Sequence, residues 1–162
     1  MEEIKEIKLQ INKLNQKLEN LRRKKKYIPN NGDTYYIVSD CGDIQSYKWE
    51  NDTNDNWRYL QRNCFKTYDL AMQHFENLKT EAELFLLAEK LNDKRIIDWD
   101  NKEQAKFYIY LEVNGKKSKL KLRFNNNYMT QGTIYCLNRN FLNEAKQIIG
   151  NDRLIRLFQK DD

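Results

Sequence analysis

The residues of this chain that could perform acid–base or metal chemistry are a few carboxylates and a single histidine. Asp52 and Asp55 lie in a run rich in Asn and Asp, and Asp98 and Asp100 flank a tryptophan. Paired carboxylates can hold Mg²⁺ or transfer protons, but Asp and Asn also close turns with their own side chains. We interpret both pairs as loop residues. His74 has the spacing of an inward helical face, which favours a half-buried core histidine over a catalytic base.

Nucleophilic and redox chemistry have no recognisable motif in the sequence. The patterns G-x-S-x-G, the Walker lysine loop and G-x-G-x-x-G are all missing. Cys41, Cys64 and Cys136 are scattered singly, and a structural zinc site would need all three together with the histidine. We therefore expect unbridged thiols in a reducing compartment, with Cys64 and Cys136 packed as small apolar residues. We expect no enzymatic activity, no metal and no cofactor.

A binding surface is easier to derive than a catalytic site. Two alternating segments on either side of Asn114-Gly115 predict a β-hairpin with one apolar face and one face of tyrosines and cations. The predicted cross-strand pairs are Phe107–Leu122, Tyr108–Lys121, Ile109–Leu120, Tyr110–Lys119 and Glu112–Lys117. The polar face carries Tyr108, Tyr110, Lys119, Lys121 and Arg123.

This polar face has two interpretations. Aromatic side chains ringed by cations grip single-stranded nucleic acid on sheet surfaces. The same pairs are also ordinary cross-strand stabilisation on the outer side of a hairpin, or part of a protein interface. The near-zero net charge of residues 27–162 favours the second interpretation, because it gives no strong field for nucleic acid.

Residues 1–26 combine an apolar heptad pattern with dense positive charge. Apolar residues spaced alternately by three and four positions predict a coiled-coil seam. The seam residues are Ile4, Ile7, Ile11, Leu14, Leu18 and Leu21, and the basic block behind them is Arg22, Arg23, Lys24, Lys25 and Lys26. Seven Lys and two Arg against four Glu give this segment all of the chain's net charge of +5.

Three roles for this segment remain open. It can form a homodimer reinforced by the rest of the chain, fold onto its own body, or dock on an acidic partner. We favour the homodimer, although a parallel pair sets Lys17 against the partner's Arg22 and so places like charges together. The basic block would strengthen binding to an acidic partner or to nucleic acid.

The fold class predicted for the whole chain is α+β, with an N-terminal coiled-coil helix followed by two similar antiparallel sheet-plus-helix units. The predicted domains are 1–28 for the coiled coil, 33–92 for the first unit, 93–106 for a connector and 107–160 for the second unit. Aromatic residues make up 12% of the chain and all lie at or after Tyr27, which indicates a real core despite a mean hydropathy of −0.96.

Each unit is predicted to hold a hairpin, a third strand and a helix. In the first unit, Gly42 closes the hairpin, a polar loop spans 51–56, the third strand ends at Cys64-Phe65 and Thr67 caps the helix. The predicted inward residues of that helix are Leu70, Ala71, His74, Phe75, Leu78, Ala82 and Phe85. In the second unit, a strand at 133–136 precedes a helix capped by Asn138. Its predicted inward residues are Phe141, Leu142, Ala145, Ile148 and Ile149, and Asp152 starts a last short helix.

Several motifs of the chain resemble one protein family. In the first half they are Trp49-x-Asn51-Asp52, Asp55, Arg58-Tyr59 and Asn63-Cys64-Phe65-Lys66-Thr67. In the second half they are Asp98-Trp99-Asp100, Gln104, Tyr108-Ile109, Gly132-Thr133-Ile134-Tyr135 and Ile149-Gly150-x-Asp152-Arg153-Leu154. With the coiled-coil leader, they are similar to small proteins encoded by phages and prophages of low-GC bacteria. The chain departs from that family at Arg62, where Gly is more usual. The resemblance implies a phage setting and supplies no active-site residues.

Taken together, these patterns predict a non-enzymatic binding protein in the cytoplasm of an infected bacterium. The apolar runs are too short to span a bilayer, and the first residues lack the apolar core of a secretory signal. We expect a counter-defence inhibitor that blocks a host immune complex such as a nuclease. The alternative is a nucleic-acid-binding accessory protein that uses the basic block and the Tyr/Lys face.

Overall fold

The computed structural model describes residues 27–115 and 117–159, together with Gln10. These residues form helices and two small antiparallel sheets, so the α+β class is confirmed. The predicted coiled coil of residues 1–26, with its seam and the basic block 22–26, lies outside the described residues. In chain order the elements are β1 (Thr34–Val38), β2 (Ile44–Lys48), α1 (Thr53–Leu60), α2 (Tyr68–Asn92), β3 (Lys106–Asn114), β4 (Lys117–Asn125), β5 (Tyr135–Cys136), α3 (Phe141–Ile148) and α4 (Asn151–Phe158).

The chain divides into two compact units, and the division falls between Met72 and Gln73, inside helix α2. The predicted domain boundaries placed all of helix α2 in the first unit. Those boundaries, and the predicted duplication of one unit, remain predictions. Among the described residues, no helix is both long enough and apolar enough to cross a lipid bilayer.

The first unit is built on the predicted hairpin of β1 and β2. Tyr35 lies opposite Tyr47, and the Ser39 N–H donates to the Asp43 carbonyl at 2.8 Å, which leaves a three-residue loop. Gly42 takes the left-handed conformation in that loop, at φ +85°, as expected of a residue without a Cβ. The core of this unit is aromatic, because Tyr35 and Trp49 are buried and pack edge to face.

Residues 53–60 form helix α1, so the prediction of a polar loop at 51–56 was wrong. The Asp52 carboxylate accepts the Asp55 N–H at 2.8 Å and caps the helix, which is the other common use of Asp in such a run. The predicted third strand is reduced to one bridge, in which Tyr36 and Phe65 exchange two backbone hydrogen bonds of 2.9 Å. Arg62 follows the helix with φ +61°, in the left-handed region.

Helix α2 begins after Thr67, whose hydroxyl accepts the Leu70 N–H at 3.3 Å. Most of its inward face was predicted wrongly. Leu78 is 45% exposed and Phe85 52% exposed, and Leu70 and Ala82 are exposed as well. Residues 84–88 are apolar without a break, so their pattern fits more than one helical face. The buried residues are Ala71 in the first unit and Thr80, Leu84, Leu87, Ala88 and Asn92 in the second.

The second unit holds a three-stranded sheet in the order β4-β3-β5. The predicted hairpin register was wrong by two residues, because Asn114 pairs with Lys117 and the loop starts at Gly115. A shift of two residues returns every side chain to its predicted face, since side chains alternate with period two. The observed pairs are Phe107–Phe124, Tyr108–Arg123, Ile109–Leu122, Tyr110–Lys121, Leu111–Leu120 and Glu112–Lys119.

Helices α3 and α4 cover the apolar side of this sheet and complete its core. Gly150, at φ +98°, separates the two helices, as predicted. Asn138 does not cap α3 directly; its side-chain oxygen accepts the Asn140 N–H at 2.8 Å in the preceding turn. Ile148 is exposed rather than inward. The buried core residues of this unit are Leu84, Leu87, Ala88, Ile109, Leu120, Cys136, Phe141, Ala145, Ile149 and Leu154.

Candidate functional site

The acidic residues of the first unit belong to a structural network. Asp55 is 3% exposed, and its carboxylate accepts from the Tyr35 hydroxyl at 2.5 Å and from the Glu50 N–H at 2.7 Å. Arg58 donates to the same Tyr35 oxygen at 2.7 Å and its guanidinium lies 3.7 Å from the centre of the Tyr47 ring. These contacts bind helix α1 to the hairpin.

The pKa values of this network follow from its burial and its hydrogen bonds. Burial alone would raise the pKa of Asp55, but the Tyr35 hydroxyl and backbone N–H donors outweigh it, so the pKa is lowered. Burial and the hydrogen bond to Asp55 raise the pKa of Tyr35 to about 12. At neutral pH the carboxylate is therefore ionised and the phenol is protonated, which is the state that the observed donor and acceptor pattern requires.

The other candidates for acid–base chemistry are also placed by the fold. The Asp98 carboxylate accepts the N–H groups of Asp100 and Asn101 at 2.9 and 3.3 Å, so it closes a turn as predicted. His74 is half-buried, and burial lowers its pKa. Within the described part of the chain, no three His, Cys, Asp or Glu side chains converge in a way that could hold a metal ion.

Packing was predicted for two of the three cysteines, Cys64 and Cys136, and both lie against a core. Cys136 is fully buried against the second core, and that burial raises the pKa of its thiol. Cys64 is partly buried against the aromatic core of the first unit. Cys41 is exposed at the tip of the first hairpin.

The predicted polar face of β3 and β4 does bring its five residues together. We call it the Tyr/cation face: Tyr108, Tyr110, Lys119, Lys121 and Arg123. The centres of the two tyrosine rings are 6.3 Å apart, and the Arg123 guanidinium lies 4.6 Å from the centre of the Tyr110 ring. Hydrogen bonding to Tyr108 and the nearby Tyr110 phenol raise the pKa of Arg123, and the guanidinium over the Tyr110 ring makes a cation–π contact.

Glu112 moderates the positive charge of this face. Its carboxylate lies 2.6 Å from the Lys121 ammonium, and this hydrogen bond raises the pKa of Lys121. Lys119 lies directly opposite Glu112 on β4. The face therefore presents a mixture of aromatic, cationic and paired groups, which is closer in chemistry to a protein interface than to a phosphate groove.

The structure adds three residues that the sequence did not assign to this face. Tyr135 pairs with Tyr108 across β3 and β5, with ring centres 5.5 Å apart. Trp99 packs edge to face on Tyr135 at 4.9 Å. Lys106 is fully buried beside them, and its ammonium donates to the Asn101 carbonyl at 2.7 Å. The strand predicted at 133–136 is present as β5, over Tyr135–Cys136. Its pairing with β3, which brings these aromatic residues together, was not predicted from the sequence.

Comparisons of the chain with protein-family models, with curated proteins and with solved structures gave no match.

Proposed function

We propose that this chain is a non-enzymatic, phage-encoded binding protein that blocks a host immune complex such as a nuclease. The contact surface in this proposal is the Tyr/cation face. The observation that carries it is the Arg123 guanidinium over the Tyr110 ring, with the Tyr108 ring beside it, because Tyr and Arg are among the side chains most enriched at the energetic centres of protein interfaces. The phage setting comes from the motif resemblance alone.

The limited exposure of the Tyr108, Tyr110 and Tyr135 rings favours a protein partner over nucleic acid. Tyr135 is 7% exposed, so its ring cannot receive a base. Arg123 already occupies one side of Tyr110. Single-strand binding by stacking gains about 1–3 kcal/mol per base from open aromatic faces, and this surface offers few of them. A rigid, partly buried tyrosine pair instead suits contact with a complementary protein surface.

The partner is expected to be acidic at its contact surface. Residues 73–159 carry 15 Lys and Arg against 11 Asp and Glu, and residues 116–123 hold five cations without an acid. Residues 27–72 carry four Lys and Arg against seven Asp and Glu. The positive charge of the described chain is thus concentrated on the second unit, where it can steer an acidic protein. The predicted coiled coil would add avidity by forming a homodimer.

Nucleic-acid binding is the second candidate, and the five cations of residues 116–123 favour it. The four that the structure describes, Lys117, Lys119, Lys121 and Arg123, lie on β4. Lys121 and Arg123 pair with Tyr110 and Tyr108, as in sheets that bind single strands. Binding of this kind weakens steeply with salt because counterions are released. A fluorescent oligothymidine should then show anisotropy changes in 50 mM salt that fall sharply at 200 mM.

Capture from host lysate, combined with a phage protection assay, tests the main proposal. The wild-type chain should retain a host protein and raise phage yield in a defence-bearing host. The double variant Tyr110→Ala/Arg123→Glu should lose both effects. Tyr128→Ala is the matched control, because Tyr128 is 66% exposed and lies outside the face.

The outcomes separate the candidates. Capture of no host protein together with no protection in any defence-bearing host would reject the inhibitor. Binding to oligothymidine that Tyr110→Ala and Lys121→Ala both weaken, without capture of a protein, would replace it with the nucleic-acid candidate. Equal losses in the Tyr128→Ala control would show that the Tyr/cation face is not the contact surface.

A further inference from the structure

The sheet of the second unit has two open edges that differ in character. β4 forms one edge, and its outward residues include Lys117, Lys119, Lys121 and Arg123. Lysine-rich edge strands resist pairing with a further strand. β3 forms part of the other edge, because β5 pairs with it only at Phe107 and Tyr108. From Ile109 to Asn114, no other described strand pairs with that side of β3.

A cleft of about 460 Å³ runs along this open part of β3. One wall is formed by the strand, and the opposite wall is the segment 130–134 that leads into β5. The apolar end is formed by Leu84 of α2 and by Leu157 and Phe158 of α4. Among the described residues that line the cleft, Glu81 carries the charge.

The wall opposite β3 is anchored, so the cleft is built into the fold. The Thr130 N–H donates to the Tyr135 hydroxyl at 3.0 Å, and the Thr133 N–H donates to the Thr130 carbonyl at 3.2 Å. Tyr135 is itself held by its pairing with Tyr108 and by the Trp99 ring. Segment 130–134 therefore lies beside β3, and the β3 residues that follow Tyr108 form no strand pairs with it.

We infer that the open edge of β3 binds an extended peptide segment of a partner protein by strand addition. Alternate residues of an edge strand turn their N–H and C=O groups outward, and an added strand satisfies them. An extended residue in a sheet fills about 4.8 × 3.4 × 10 Å, roughly 160 Å³. The cleft therefore holds about three residues of such a segment, which matches the three β3 residues that line it and are unpaired on that side, Ile109, Tyr110 and Leu111.

The cleft also specifies the side chains of that segment. Successive side chains of an added strand alternate between the two faces of the sheet. One set enters the apolar end beside Leu84, Leu157 and Phe158, and the other set lies beside Tyr108 and Tyr110. Among the side chains that enter the apolar end, the Glu81 carboxylate favours one that is cationic. The expected segment thus has apolar residues at alternate positions and one Lys or Arg among them.

An exposed apolar stripe next to the cleft favours a protein-borne segment over a small molecule. Leu78, Phe85 and Leu86 of α2 are 45%, 52% and 62% exposed, and together with Ile134 they line a shallow depression that shares Glu81 with the cleft. Contiguous exposed apolar side chains mark surfaces that contact other proteins. A peptide leaving the cleft would cover this stripe. The cleft lies on the opposite side of β3 from the cations of β4, and it shares only Tyr108 and Tyr110 with the Tyr/cation face.

The test uses the strongest dodecapeptide selected from a displayed random library against the full chain. Each backbone amide of that peptide is then N-methylated in turn, and binding is measured by fluorescence anisotropy. Strand addition predicts at least a ten-fold loss of affinity at every second position over about three residues, and little loss between them. Thr133→Trp, which fills the cleft, should weaken the unmodified peptide at least ten-fold. Ile148→Trp, on an exposed helical position outside the cleft, should leave it unchanged.

A second variant, Gln131→Trp, decides the outcome if circular dichroism shows that Thr133→Trp does not fold. The inference is overturned if no peptide is selected or if the cleft variant that folds binds normally. It is also overturned if the N-methyl losses recur every three or four residues, as for a bound helix. A concentration-dependent dimer that the cleft variants abolish would assign the edge to a second copy instead. Binding of small molecules in the cleft without binding of any peptide would also overturn the inference.

Discussion

Replacing Asp55 by asparagine tests whether its buried carboxylate holds helix α1 against the hairpin. The carboxylate accepts from the Tyr35 hydroxyl and from the Glu50 N–H. An amide offers one acceptor oxygen, and Tyr35 cannot reverse its bond because it already accepts from Arg58. One buried donor is therefore left unpaired, which costs about 1–3 kcal/mol, and the remaining bond loses the assistance of a full charge, about 1 kcal/mol more.

A total loss of about 2–4 kcal/mol corresponds to a roughly 30- to 700-fold change in the equilibrium for opening the first unit. Amide hydrogen exchange of Tyr36 and Trp49 measures that opening locally, since their N–H groups bond to Phe65 and Asp33 across the unit. Both amides should exchange faster in the variant by this factor at pH 7.

The difference in exchange rate between Asp55→Asn and the wild-type chain should shrink in acid, because the pKa of Asp55 is lowered in the folded chain. A carboxyl with a folded pKa below its unfolded value stabilises the fold fully above the unfolded pKa, about 4. That contribution is lost as the pH falls through the lower folded pKa. The asparagine variant has no such contribution to lose, so the ratio of exchange rates should approach one in strong acid.

Asp52→Asn is the matched control, because Asn caps a helix as well as Asp does and the Asp52 side chain is not part of the buried network. Its effect should stay within about 0.5 kcal/mol. If Asp55→Asn is no more destabilising than Asp52→Asn, or if its effect does not depend on pH, the buried network does not hold the unit together.

Three further substitutions have expected outcomes. Arg62→Gly should raise the free energy of unfolding by about 0.5–1 kcal/mol, because Arg62 has φ +61°; a lower urea midpoint would contradict this. Glu83→Gln removes the charge and one of the two acceptors of the 2.9 Å bonds from Arg153 but should cost only about 0.5–1 kcal/mol, since the pair is partly exposed. The Arg153 hydrogen bonds lower the pKa of Glu83, so this cost should be fully present above the unfolded pKa of about 4.3 and should be lost as the pH falls through the lower folded pKa; a pH-independent cost would argue against ion pairing. In the folded chain, Cys41 should react with a thiol reagent far faster than the buried Cys136, and a Cys41→Ser chain that reacts equally fast would refute that order.

For the hairpin of the second unit, the sequence predicted correctly which face of the sheet each side chain occupies, but not the cross-strand register. The hairpin of β3 and β4 was expected to turn at Asn114-Gly115, and it turns one residue later with a register shifted by two. Because the shift equals the period of the strand, the Tyr/cation face survived the error. For helix α2, by contrast, the sequence did not predict which face is buried. Its uninterrupted apolar run at 84–88 does not define one stripe, and packing against the sheet rather than local pattern selected Leu84, Leu87 and Ala88.

Two features of the site could not be read from the sequence for physical reasons. Helix α1 depends on a single cap, Asp52, in a run whose composition is equally typical of a loop. The row that Tyr135 and Trp99 add to the Tyr/cation face depends on the pairing of a two-residue strand with β3. Long-range pairing of so short a segment is decided by tertiary packing and has no signature in local sequence.

The position of Trp99 gives the second unit an intrinsic optical reporter. Its indole lies 4.9 Å from the Tyr135 ring and 5.3 Å from the Lys106 ammonium, two neighbours to which its emission is sensitive. Tyr135 in turn holds the Thr130 N–H at the cleft wall. A ligand that displaces this wall would change the surroundings of Trp99 directly, whereas Trp49 and Trp57 belong to the first unit. Titrations of the unmodified chain can therefore follow occupancy of the cleft by tryptophan emission, without any attached dye.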